Sequence, residues 1–284
     1  MKADSEHNSI LGKGRDSVRL VSNDEFGDGV YIFDINHMPW PAAWTTATKN
    51  WPYSGEIDVL EGANANSNSS IANLRTLGLI TANSALANMG STPGNTSYSG
   101  QNAVSLHTAP NCPLKDRPTG TMTGLVGQSD CSGLSNGNSG CGVIVPGKSF
   151  GGDFNTNGGG IYAMYRNLHN SSMVQTWFWP RDVAPPADVA NVSSATVDPS
   201  TWGTPVASFT FQTPGCGGQF HKHVIVLNID FCGDYATATY AANGCPGECE
   251  AFVKYNPQAF TEAFFEFRSV RFYGNSAFAS FQPS

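Results

Sequence analysis

Short stretches of alternating apolar and polar side chains recur along the chain, and a period of two is the mark of a half-buried strand. In Ser17–Ser22, Val18, Leu20 and Ser22 alternate with Arg19 and Val21. Gly29–Met38 is more continuously apolar and is closed by Pro39, which cannot donate to a sheet ladder. Further strands are predicted at Val104–Thr108, at His223–Phe231 and at Phe264–Tyr273, with a hairpin of Ile161–Tyr165 and Met173–Trp179 across Asn167–Ser172. Residues 109–160 are rich in turn signals such as Asn136-Gly137 and Gly158-Gly-Gly160, and 182–208 reads as a Pro/Ala/Ser/Thr-rich loop. Heptads, long amphipathic helical patterns and internal repeats are absent from the sequence. The pattern predicts an all-β protein, and at 284 residues a single sandwich-type domain.

One strand differs from the rest. Glu56-Ile-Asp58-Val-Leu-Glu61 lies between Gly55 and Gly62 and carries three acids separated only by apolar residues. Alternation puts Glu56 and Asp58 on one face and Ile57 and Val59 on the other. Glu61 is one residue out of phase, and a β-bulge at Val59-Leu60 would return it to the acidic face. Carboxyls crowded together raise one another's pKa, so one can stay protonated near neutral pH while another ionises. Such a pair is the acid and nucleophile that a retaining glycoside hydrolase uses. The alternatives are a calcium site or a solvated acidic sheet edge, and calcium loops favour Gly, Asp and Asn between their ligands rather than Ile, Val and Leu.

Composition narrows the partner. Charged residues make up 13% of the chain, so a neutral polar ligand suits it better than an ionic one. A net charge of −7 argues against nucleic acid or an anionic membrane. The seven cysteines lack zinc-type spacing, and four sequons (Asn68, Asn95, Asn170, Asn191) accompany them, which together point to disulfides in an oxidising compartment. Residues 1–14 contain no apolar signal segment, and no apolar run is long enough to span a bilayer.

The hexapeptide resembles the active-site strand of glycoside hydrolase family 16, in the bulged form of laminarinases. Trp40-Pro-Ala-Ala-Trp44, Leu106-His107-Thr108 and Trp177-Phe-Trp179-Pro-Arg181 are similar to other stretches of fungal endo-1,3(4)-β-glucanases. The resemblance implies a concanavalin-like jelly-roll β-sandwich with a concave substrate cleft, and a secreted monomer acting on β-1,3 or mixed β-1,3/1,4-glucan without metal or cofactor. It implies Glu56 as nucleophile, Glu61 as acid and base, and Asp58 as the group that orients them. Trp44, His107, Trp177, Trp179 and Asn228 are the expected substrate-binding residues, with one of Trp177 and Trp179 favoured for the cleft over a core layer. The other function class is a glucan-binding protein of this fold without turnover. Against the family pattern the chain is expected to be one domain over 1–284 that begins late, with an insertion loop at 63–102 and a shortened junction at Met38-Pro39-Trp40.

Overall fold

The computed structural model describes residues 1–7, 14–39, 42–64, 101–115, 120–169, 171–212, 216, 218–241, 243 and 245–274. Twelve strands among these residues form two antiparallel sheets. The seven-stranded sheet has the order β1-β11-β3-β4-β5-β7-β6, and the five-stranded sheet has the order β10-β9-β8-β2-β12. In chain order the strands are β1 (Arg19–Val21), β2 (Gly29–His37), β3 (Ala42–Thr46), β4 (Glu56–Glu61), β5 (Asn102–His107), β6 (Leu125–Val126), β7 (Cys141–Val145), β8 (Gly160–Asn167), β9 (Met173–Pro180), β10 (Ala207–Thr210), β11 (Val224–Asn228) and β12 (Glu266–Gly274).

The sheets pack face to face through their apolar alternates. Ile57, Val59, Leu60, Val104, Leu106 and Val143 from the larger sheet meet Tyr31, Phe33, Ile35, Tyr162, Met164 and Phe209 from the smaller. Removing these side chains from water is the main driving force for the sandwich. The smaller sheet is buried on its outer face as well. There Val30, Ile32, Ile161, Ala163 and Tyr165 lie under Val189, Val197 and Trp202 of the segment that follows β9. Burial on both faces explains why β2 and β8 read as nearly continuous apolar runs.

Several elements were not legible as regular structure. Strand β7 sits inside the turn-rich 109–160 region, pairs with β5 and is tied by the Cys131–Cys141 disulfide. Two short helices, Gly233–Tyr240 and Cys249–Tyr255, are joined by Cys232–Cys249. Cys112–Cys216 is the third disulfide among the described residues, and Cys245 is free. Strand β5 begins at Asn102, inside the boundary expected for the 63–102 loop, and Glu61 pairs with Ala103 across the ladder. The two ends of that loop therefore meet. Residues 65–100, Trp40 and three of the four sequons lie outside the described residues; Asn191 is described and exposed.

Candidate active site

Strand β4 runs between β3 and β5 in the larger sheet, and the register aims its acids. Glu56, Asp58 and Glu61 stand opposite Thr46, Trp44 and Ala42 on β3, and opposite His107, Ser105 and Ala103 on β5. Both ladders are irregular between Asp58 and Glu61, where two consecutive residues, Val59 and Leu60, turn into the core. This is the bulge the out-of-phase Glu61 calls for, and it returns all three acids to one outward face.

Burial, and for the two glutamates neighbouring charge, raises the pKa of all three carboxyls above the ordinary carboxylate range. The pKa of Glu56 is raised first by desolvation and then by the neighbouring charge of Asp58, with His107 and an indole hydrogen bond from Trp51 opposing the shift. Glu61 is raised by the same two causes, opposed by His107 and by a hydrogen bond from Ser105. Desolvation alone raises Asp58. Because each charge disfavours the next, the three acids release protons as a set, not independently. Loss of the first proton from such a set leaves a protonated carboxyl beside an ionised one, the pairing that acid–nucleophile chemistry uses.

His107 is the fourth member. Its Nε2 lies 3.3 Å from Asp58 Oδ2 and 4.0 Å from Glu56 Oε1. Nδ1 is 3.0 Å from Asn138 Oδ1, which leaves Nε2 facing the acids. Asp58 Oδ2 accepts no well-aligned hydrogen bond, and the imidazole is its nearest charge partner. Gly140 permits this approach: its φ is +60°, and a Cβ there would come within 2.8 Å of the His107 ring. Glu56, Asp58 and His107 each offer a ligand atom within 4.8 Å of the others, so this trio is also where a cation would be held.

The expected binding residues divide between two sides of the molecule. Trp44 is on the acidic face and donates from Nε1 to Asn228 Oδ1 at 2.7 Å, while the Arg19 guanidinium lies 4.9 Å from the centre of its ring. Asn228 is 2% exposed, and its amide is occupied by Trp44 and by the Asp230 carboxylate, so it orients Trp44 instead of facing a sugar. Trp177 and Trp179 correct the sequence reading. They are in phase on β9, but on the outer face of the opposite sheet, packed edge-on against Trp202 at 5.2 and 5.8 Å. Trp177 Nε1 donates to Gly203 O, so its polar edge is satisfied there. Period two establishes that the two rings share a face, but not which sheet or which side.

Two side chains at the site carried no assigned role in the sequence. Trp51 is 40% exposed at the Glu56 end, 6.3 Å from the His107 ring, and its position just ahead of the acidic strand was the available signal. Ser105, one residue in phase from His107 on β5, is buried against Glu61. At the Glu61 end a cavity of about 670 Å³ opens between the sheet and the two disulfide-joined helices, lined by Phe231, Tyr240, Phe252 and Phe260.

A two-sheet sandwich with three carboxyls on one bulged strand defines the jelly-roll class of glycoside hydrolases. Residues 1–97 and 93–273 match the XgeA-like catalytic domain of glycoside hydrolase family 16, and the chain belongs to that family. It is 34% identical to a probable glycosidase of Schizosaccharomyces pombe, over 96% of this chain and 57% of that protein. It is 31% identical to the endo-1,3(4)-β-glucanase XgeA of Emericella nidulans, over 93% of this chain and 37% of that protein. The chain thus spans from about a third to just over half the length of these relatives. Among solved structures, laminarinase 16A of Phanerochaete chrysosporium, with β-glucans in donor and acceptor sites, superposes with a TM-score of 0.77 at 36% identity, covering 96% of this chain and 82% of that one. A family 16 elongating β-1,3-glucosyltransferase gives a TM-score of 0.72 at 30% identity, covering 94% and 80%.

Proposed function

We propose that this chain is a retaining endo-β-glucanase that cleaves internal β-1,3, or mixed β-1,3/1,4, glucosidic bonds. The observation that carries the reading is the bulged strand itself, with Glu56 and Glu61 flanking a buried Asp58 on one sheet face. Glu56 attacks the anomeric carbon and forms the glycosyl-enzyme. Glu61 protonates the departing oxygen and then takes a proton from the incoming water. Asp58, against His107, orients the pair, and its proximity raises the pKa of Glu61. Trp44 and Trp51 present flat apolar surfaces to either side of the acids, suited to the C–H faces of glucosyl rings. The chemistry is complete in the side chains and calls for no metal or cofactor.

The intact acid set supports turnover over the alternative of a glucan-binding protein without it. The three disulfides fit an extracellular protein, and no described helix is long and apolar enough to cross a membrane. Incubation with laminarin should release reducing ends together with a rapid fall in mean chain length, the signature of internal cleavage. Binding to laminarin without new reducing ends would replace this reading with the binding-protein one.

Retention of anomeric configuration is expected, because both glutamates project from one short strand. Inverting enzymes hold their carboxyls about 6.5–9.5 Å apart to admit a water between acid and sugar. Proton NMR of the first product should show the β-anomer; an initial α-anomer would overturn the mechanism. The segment 65–100 is proposed as an insertion that the sandwich does not require, since its flanks meet at the Glu61–Ala103 pair. Replacing it with a short Gly/Asn linker that keeps Asn64, which hydrogen-bonds Thr239, should leave the melting temperature and the KM for polymer unchanged. An unchanged melting temperature with a clearly higher KM would instead make the segment a substrate-gripping lid.

A further inference from the structure

The bulge that brings Glu61 to the cleft creates a problem of its own. The β4–β5 register steps from Asp58 opposite Ser105 to Glu61 opposite Ala103, so Val59 and Leu60 together face Val104. Backbone groups on the bulged side lose their ladder partners, and buried peptide groups must find others. They find them in one side chain. Asn102 Nδ2 donates to Val59 O at 2.8 Å, and Asn102 Oδ1 accepts from the Glu61 N–H at 2.9 Å. Asn102 is fully buried, and its own N–H donates to Ser149 Oγ at 3.0 Å, which in turn donates to Val145 O at 2.6 Å.

We infer that Asn102 is the positioning residue for Glu61: its carboxamide spans the bulge from Val59 to Glu61 and fixes the acid on the cleft face. The kinetic part of this inference rests on the glucanase reading above; the geometric part does not. A strand with period two has a competing arrangement in which the bulge is absorbed into a regular ladder. A one-residue slip sends every later side chain to the opposite face, and Glu61 would then point into the sandwich. The amide is suited to prevent this, because it donates and accepts at once across the interrupted ladder. A carboxylate cannot donate, and an alanine does neither. Asn102 does not reach the reacting atoms, so it acts through the main chain of Glu61.

The test compares Asn102→Ala and Asn102→Asp with Val30→Ala, a truncation in the outer layer of the opposite sheet that should lower the melting temperature but leave kcat and the pH profile alone. Asn102→Ala is expected to lower kcat on laminarin by about ten- to a hundredfold, the scale of a small misplacement of a catalytic group, with KM nearly unchanged. The limb of the pH profile that reports loss of the Glu61 proton should move. Asn102→Asp should approach wild-type kcat at acidic pH, where the neutral carboxyl can still donate and accept, and should fall away as that carboxyl ionises. If both variants lose only melting temperature, as Val30→Ala does, the inference is overturned. NMR titration of Glu61 in labelled protein decides the point without turnover: a midpoint unchanged in Asn102→Ala overturns it. Absence of glucan cleavage by the wild type, with that midpoint displaced in the variant, would sink the glucanase reading and leave the positioning role standing. If Asn102→Ala does not fold, the acid-side recovery of Asn102→Asp, read in the same titration, carries the decision.

Discussion

Glu56→Gln and Glu61→Gln should each lose nearly all turnover of laminarin while remaining folded, and Asp58→Asn should keep a small part of it. The glutamine amides fill the same volume, so the sandwich has no reason to open, but neither can attack an anomeric carbon or transfer the proton. General acid catalysis contributes about 10²–10⁴-fold, which sets the scale for Glu61→Gln. Loss of the nucleophile in Glu56→Gln removes the covalent route altogether. Azide or formate should therefore restore turnover to Glu56→Gly, by occupying the space of the missing carboxylate. Asp58 orients and polarises without bonding to the sugar, so its amide costs less. Steady-state rates with circular dichroism as a folding control check all three. Near-native turnover in either glutamine variant would show that the roles are wrongly assigned.

Sequence periodicity carried the sandwich because strands must alternate, and it carried the bulge because three acids cannot share a face at spacings of two and three without one. Trp44 and His107 were expected at the cleft from the family resemblance, and both lie on the acidic face; periodicity alone did not assign them. It could not tell two outward faces apart. Trp177 and Trp179 read equally well as a sugar platform, and only the path of residues 182–206 over their side of the sheet makes them core. Asn228 failed for a different reason: its alternation is correct, but its hydrogen-bond partners come from β3 and from its own chain two residues on. Ser105 and Asn102 gave no signal, since a lone serine or asparagine at a strand position acquires meaning only from the backbone it meets. The helices Gly233–Tyr240 and Cys249–Tyr255 were hidden by their length. Two turns are too short for a helical period to stand out, and their packing onto each other and the Cys232–Cys249 bond supplies what local propensity does not.

The same acids that would perform the chemistry should make the protein less stable as pH rises. Each of the three has its folded pKa raised above its unfolded value, so the native state holds more protons than the unfolded one. Stability then falls with increasing pH, beginning near the unfolded carboxyl values of about 4 and continuing through the raised folded values, about 7 for Glu61. A one-unit shift is worth about 1.4 kcal/mol, and because the set shares its protons the total should be on the order of a few kcal/mol. Asp58→Asn removes the most buried of the charges and the one that raises both glutamates. The variant should come closest to the wild type near pH 3, below both pKa values of Asp58, where the carboxyl is mostly protonated in folded and unfolded chains alike. It should be the more stable of the two by pH 8, although it is the less active. Denaturant melts of both proteins across that range measure the difference directly. A gap that stays constant over it would mean that Asp58 sits in the site without electrostatic strain, and that the protonation of Glu61 has another source.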